Sequence, residues 1–89
     1  MKRNCQIMND EAIAEVIRTQ KGLALKDYYV ADNGDFITKV WDPAAEAFTA
    51  RRVYTAGDIA QMVNMPLWEV VGVDSNGWDE YAILFYEEY

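Results

Sequence analysis

The side chains of this chain with a capacity for chemistry are carboxylates. Fifteen Asp and Glu stand against eight Lys and Arg, with no histidine and a single cysteine, Cys5. Without histidine, the commonest general base, the usual activator of a Ser or Cys nucleophile and most zinc sites are missing. One cysteine excludes a thiolate cluster. The glycines at 22, 34, 57, 72 and 77 are scattered and form no phosphate-cradling motif. Paired carboxylates could still do acid–base work of the kind glycosidases use. An 89-residue chain, however, has little room for the substrate cleft that such a pair requires. The expectation is a protein that is not an enzyme, with no catalytic residue and no cofactor.

Two stretches place acids beside asparagine: Asp32-Asn33-Gly34-Asp35 and Asp74-Ser75-Asn76-Gly77-Trp78-Asp79-Glu80. Oxygen-rich turns can hold calcium, but neither stretch matches the longer loop with its closing bidentate Glu. The backbone preference of the Asn-Gly pair in each explains both as turns, so no metal site is expected. The second stretch carries more. If Asn76-Gly77 is a two-residue turn, Asp74 stands directly opposite Asp79 with Glu80 adjacent, and like charges facing across strands are destabilising. A solvated tip that discourages edge pairing is the plain reading. The functional reading is an acidic knob that meets Arg or Lys on another protein, flanked by Trp78 and Tyr81 as aromatic anchors. Glu87 and Glu88 would extend the acidic rim.

The distribution of charge supports looking there. Residues 1–52 hold all eight bases and eight of the acids, and so are neutral. Residues 53–89 hold Asp58, Glu69, Asp74, Asp79, Glu80, Glu87 and Glu88 with no base, and carry the whole formal charge of -7. Such asymmetry concerns association and field rather than fold. It disfavours direct nucleic-acid binding, because phosphate contacts need Lys and Arg. Lys39, Arg51 and Arg52 form the main basic cluster, read as a solvated strand face, with an internal salt bridge to the acidic half as the interesting exception.

The elements that must position these residues follow from period and punctuation. Asn9 can cap a helix over about 10–21, with Asp10 and Glu11 at the positive end of its dipole and Met8 able to staple onto Ile13. Ile13, Val16 and Ile17 give its apolar stripe, and Gly22 stops it. Tyr28-Tyr29-Val30 and Phe36 to Trp41 read as strands around the Asp32–Asp35 turn. Phe48 to Tyr54 could return as a third strand. Asp42 as cap with Pro43 at the first helical position would instead start a helix. The strand is preferred because a helix through Tyr54 has a poor apolar stripe. Thr55-Ala56-Gly57-Asp58 resembles a capping box for a short helix with Ile59, Met62 and Val63 inward, ended by Pro66. Leu67 to Val73 and Asp79 to Tyr86 read as the last two strands. In this last segment Ile83 and Phe85, or Ala82, Leu84 and Tyr86, face the core. If both faces are apolar, the strand is central or one face awaits a partner.

The expected fold is α+β: an antiparallel sheet of about five strands in the order α-β-β-β-α-β-β, with the helices on one face. Length and composition fit a single acidic domain spanning 1–89. A chain of this size can bury about 64% of its extended surface, and 52% hydrophobic residues supply the means. No apolar run approaches the ~20 residues that a bilayer requires. Met1-Lys2-Arg3-Asn4-Cys5 begins like a secretion signal, but Asn9, Asp10 and Glu11 interrupt it, and with one cysteine the expected location is a reducing cytoplasm.

In size, charge and lack of a catalytic set, the chain resembles small acidic inhibitors from phages and mobile elements. Some of these anti-CRISPR-like proteins occupy nucleic-acid-binding surfaces of bacterial defence nucleases and so act as nucleic-acid mimics. The resemblance carries over no residues. The function expected is a non-catalytic inhibitor or adaptor whose acidic C-terminal half docks on a basic surface of a partner protein, through Asp74, Trp78, Asp79, Glu80, Tyr81, Glu87 and Glu88. Neither nucleic acid nor membrane is an expected direct partner. The alternative is a structural or self-associating domain that forms a homodimer through an edge strand.

Overall fold

The computed structural model describes residues 2–74, 76–77 and 79–88. Its elements run β1 (Lys2–Met8), α1 (Asp10–Lys21), β2 (Leu25–Val30), β3 (Phe36–Asp42), β4 (Ala47–Tyr54), α2 (Ala56–Val63), β5 (Leu67–Gly72) and β6 (Tyr81–Glu88).

Local chemistry sets most of these boundaries. Asn9 Oδ1 accepts from the Ala12 amide at 2.9 Å, satisfying one of the donors that a helix start leaves orphaned. At the other end Gly22 turns left-handed (φ 65°) and its N–H donates back to the Arg18 carbonyl. The α2 capping box is complete: Thr55 Oγ1 accepts from the Asp58 amide and Asp58 Oδ2 from the Thr55 amide, each at 3.1 Å. Asp42 does not start a helix. Residues 43–46 form a turn in which Asp42 Oδ1 accepts from the Ala44 amide at 3.0 Å, and the chain returns as the strand β4.

The fold is α+β, but the single five-stranded sheet expected from the sequence does not form. There are two three-stranded antiparallel sheets, ordered β1-β6-β5 and β2-β3-β4. The unforeseen strand is β1, whose Cys5 to Met8 pair with Tyr86 to Ile83. Its arrival makes β6 a central strand, which accounts for two apolar faces in that segment. The helices do not share one sheet face in the manner expected either: α1 contacts β1 and β2, and α2 contacts α1 and β5.

One core draws on both sheets and both helices. Met8, Ile13, Ile17, Val30, Phe36, Ile59, Ile83 and Phe85 belong to it. Each fully buried Ile or Phe contributes about 1.5–3 kcal/mol relative to exposure. Gly34, in the β2–β3 turn, is where the sheets meet. Its φ is +89°, and a Cβ there would lie 2.9 Å from Val70 Cγ2 and 3.3 Å from Ala56 Cβ. Only glycine supplies both the left-handed backbone and the space. Arg18 lies over the Tyr28 ring at 5.3 Å, and Gln20 Nε2 donates to the Met62 carbonyl at 2.6 Å, fastening α1 to β2 and to α2. No helix among the described residues is long and apolar enough to cross a membrane.

Candidate protein-binding surface

Strand pairing sets the geometry of the acidic turn. Gly72 pairs with Tyr81, and one step further out the Val73 amide donates to the Glu80 carbonyl at 2.8 Å. The next step in the same register sets Asp74 opposite Asp79. Asn76 and Gly77 both have positive φ, 63° and 78°, the combination that a two-residue type I′ turn requires. Asp74, Asp79 and Glu80 are all exposed. Among the described residues none of the three carboxylates has a hydrogen-bond or ion-pair partner. Trp78, expected as an anchor, lies outside the described residues. Tyr81 is half-buried and packs against the core, so only part of its ring is available to a partner.

Beside the turn runs an open groove of about 670 Å³ between the base of the β5–β6 hairpin, the start of α1 and the end of β2. Asp79, Glu80 and Asp10 supply its charge, and Ile7, Tyr29 and Tyr81 much of its apolar wall. Among the described residues lining it there is no Lys or Arg. Ile7 is 63% exposed and Tyr29 50%. Sequence reasoning passed over these two and gave Asp10 only a helix-dipole role. The sequence marked Asp10 as the start of a helix but held no signal that this start lies beside the hairpin, because the strand that leads into it was not expected. The same gap hid Ile7, which lies on that strand.

The seven C-terminal acids do not form one region. Glu87 and Glu88 sit at the other end of β6, about 24 Å from Glu80 at ~3.4 Å per residue. Glu87 Oε2 accepts from Asn4 Nδ2 at 2.8 Å, across the β1–β6 pair. Asp58 serves the α2 cap, and Glu69 stands mid-strand opposite Leu84. Three acids therefore converge at the turn, joined by Asp10 from the N-terminal half.

The basic cluster is also redrawn. Lys26 pairs with Lys39, and Lys39 with Arg51, so that three cations form one row across β2, β3 and β4. Arg52 pairs with the buried Thr38 and belongs to the opposite face. Lys39 Nζ lies 3.4 Å from Asp27 Oδ2, an acid of its own half rather than of the C-terminal one. In the Asp32–Asp35 turn Asn33 and Asp35 bond to each other, Asn33 Oδ1 accepting from the Asp35 amide at 3.0 Å and Asp35 Oδ2 from Asn33 Nδ2 at 3.3 Å. No group of three metal-ligating side chains occurs among the described residues. No protein-family model matches the chain, and neither a curated protein nor a solved structure shows significant similarity to it.

Proposed function

We propose that this is a non-catalytic inhibitor or adaptor that binds a basic segment of a partner protein at the β5–β6 turn and the groove beside it. The observation that carries the reading is the trio Asp74, Asp79 and Glu80, exposed and without internal partners among the described residues. It adjoins a groove whose remaining wall is largely apolar. Two facing aspartates repel one another, and a guanidinium or ammonium placed between them relieves that repulsion. The partner's cation thus meets a site whose electrostatic cost has already been met in folding. Ile7, Tyr29 and Tyr81 offer apolar contact to the stem of a Lys or Arg, or to its neighbours. A basic surface that ordinarily holds DNA or RNA is the natural class of partner, because clustered carboxylates present charge as phosphates do. Attraction of this kind speeds association and weakens with salt.

The test is capture of proteins from a bacterial lysate at low and high salt, identified by mass spectrometry, with three baits. These are the wild type, the variant D74K/D79K/E80K and the variant E11K/E15K. The expected result is a partner retained by the wild type and E11K/E15K, lost by the tip variant and released by salt. Equal retention by all three baits removes the assignment to the turn.

A further inference from the structure

We infer that the outer face of the β2–β3–β4 sheet is a second binding surface, and that its occupant is the acidic β5–β6 turn of another copy of this chain. The inference rests on the turn being a docking element, as proposed above. Lys26, Lys39 and Arg51 stand side by side on that face, all exposed, with neighbouring strands about 4.8 Å apart. Like charges directly opposite one another destabilise a sheet. Among the described residues, the only ion pair in the row joins Lys39 to Asp27. Apolar side chains flank the row on both sides. Tyr29 and Val53 lie on one side, 50% and 46% exposed, and Trp41 on the other at 41%. Trp41 meets Phe48 edge to face at 5.1 Å, and Lys26 Nζ sits 5.8 Å from the Phe48 ring centre. Arg beside Trp and Tyr is the composition of interface hot spots.

The turn and this face carry the same cross-strand repulsion with opposite sign. Among the described residues no ion pair joins them within one molecule. Contact between copies relieves both. The obstacle is the mutual repulsion of two molecules of charge -7. At about 0.1 M salt the Debye length is ~10 Å, short beside a molecule 48 Å long. The general repulsion is then screened, while charges in contact are screened far less. At ~1 M salt, with a length of ~3 Å, the contact itself weakens.

Sedimentation of the wild type at low and high protein concentration in moderate salt tests this, together with the charge-reversed variants K26E/R51E and D74K/D79K. The expected result is a mass that rises with concentration, and association about tenfold weaker or more in either variant alone. An equimolar mixture of the two variants then associates as the wild type does, because each acidic element again faces a basic one. Should a reversal disturb the circular dichroism spectrum, the neutralising substitutions Lys26→Gln and Asp74→Asn give the same comparison at smaller amplitude. A wild type that stays monomeric overturns the inference, as does association that ignores both variants or a mixture that fails to recover. So does binding of a labelled single-stranded oligonucleotide that K26E/R51E abolishes while the protein remains monomeric, since the face is then a nucleic-acid platform. Capture of a foreign basic protein by a monomeric wild type leaves the proposed function standing and removes only this inference.

Discussion

The two sheets are built alike and exposed differently. Each has three antiparallel strands, two flanking a central one, which is β6 in the first and β3 in the second. Each turns residues of that central strand into the shared core, Ile83 and Phe85 from β6, Phe36 and Val40 from β3. Their outer faces diverge. Residues paired across strands share a face, so Ile7 and Cys5 of β1, Leu84 and Tyr86 of β6 and Leu67 and Val71 of β5 form an outer surface that is apolar apart from Glu69. Glu69 apart, its charge lies at the ends of the strands. The other outer face carries its charge in the middle, as the Lys26–Lys39–Arg51 row, with the apolar residues to either side. Net charge summed over residue ranges hides this arrangement. The lesson is that the position of a charge along its strand, rather than its membership of one half of the chain, decides what it can meet.

The sharpest way to break the comparison is to empty the same place in each sheet. Phe85→Ala and Phe36→Ala each remove a fully buried ring and should each cost about 3–5 kcal/mol. If the core is one cooperative unit, urea unfolding followed by far-ultraviolet circular dichroism gives a single transition for both variants. Two transitions in either variant mean that the sheets unfold separately. A smaller effect separates the two turns. Gly34→Ala meets both a left-handed backbone and a neighbour at 2.9 Å, and should lose about 2–4 kcal/mol. Gly77→Ala has the same backbone demand with nothing within 4 Å, and should lose only about 1–2 kcal/mol. Equal losses in thermal melts remove Gly34 as the joint between the sheets. The smallest effect concerns charge. Asp74→Asn and Lys26→Gln each delete one member of a repelling set and should raise stability by up to about 0.5 kcal/mol in low salt. The gain should fade in ~1 M salt, and a loss of stability in place of the gain denies the cross-strand repulsion at that site.

The part of the fold legible in the sequence is the part made by neighbours. The helix over 10–21, the capping box at Thr55 and the three strands β2, β3 and β4 depend on caps, turns and periods that lie within a few residues of one another. The Asp74–Asp79 opposition was legible for the same reason, since Asn76-Gly77 sets the register locally. Strand β1 was not. Its sequence, Lys2-Arg3-Asn4-Cys5-Gln6-Ile7-Met8, has one β-branched residue and no alternation. It is a strand because β6 is there to pair with it, a tertiary effect that overrides propensity. The same gap hid the groove, because two of its walls are fixed by β1 and by the approach of α1 to the hairpin base. Glu87 and Glu88 were grouped with the turn because they follow it closely in sequence, whereas an extended strand carries them to the far end of the sheet.

The pairing of Lys2 with Glu88 has a consequence for timing. Closing so long a loop costs entropy that grows only as the logarithm of its length, so the pair is affordable once the rest has formed. During synthesis, however, residues 2–8 emerge well before residues 81–88 and must wait for them before they can become a strand at all. The β2–β3–β4 meander, joined by short turns, is free to assemble in that interval. Through it, Ile7 and Met8 stay on an unpaired segment, and the molecule is open to mispairing there until β6 has left the ribosome.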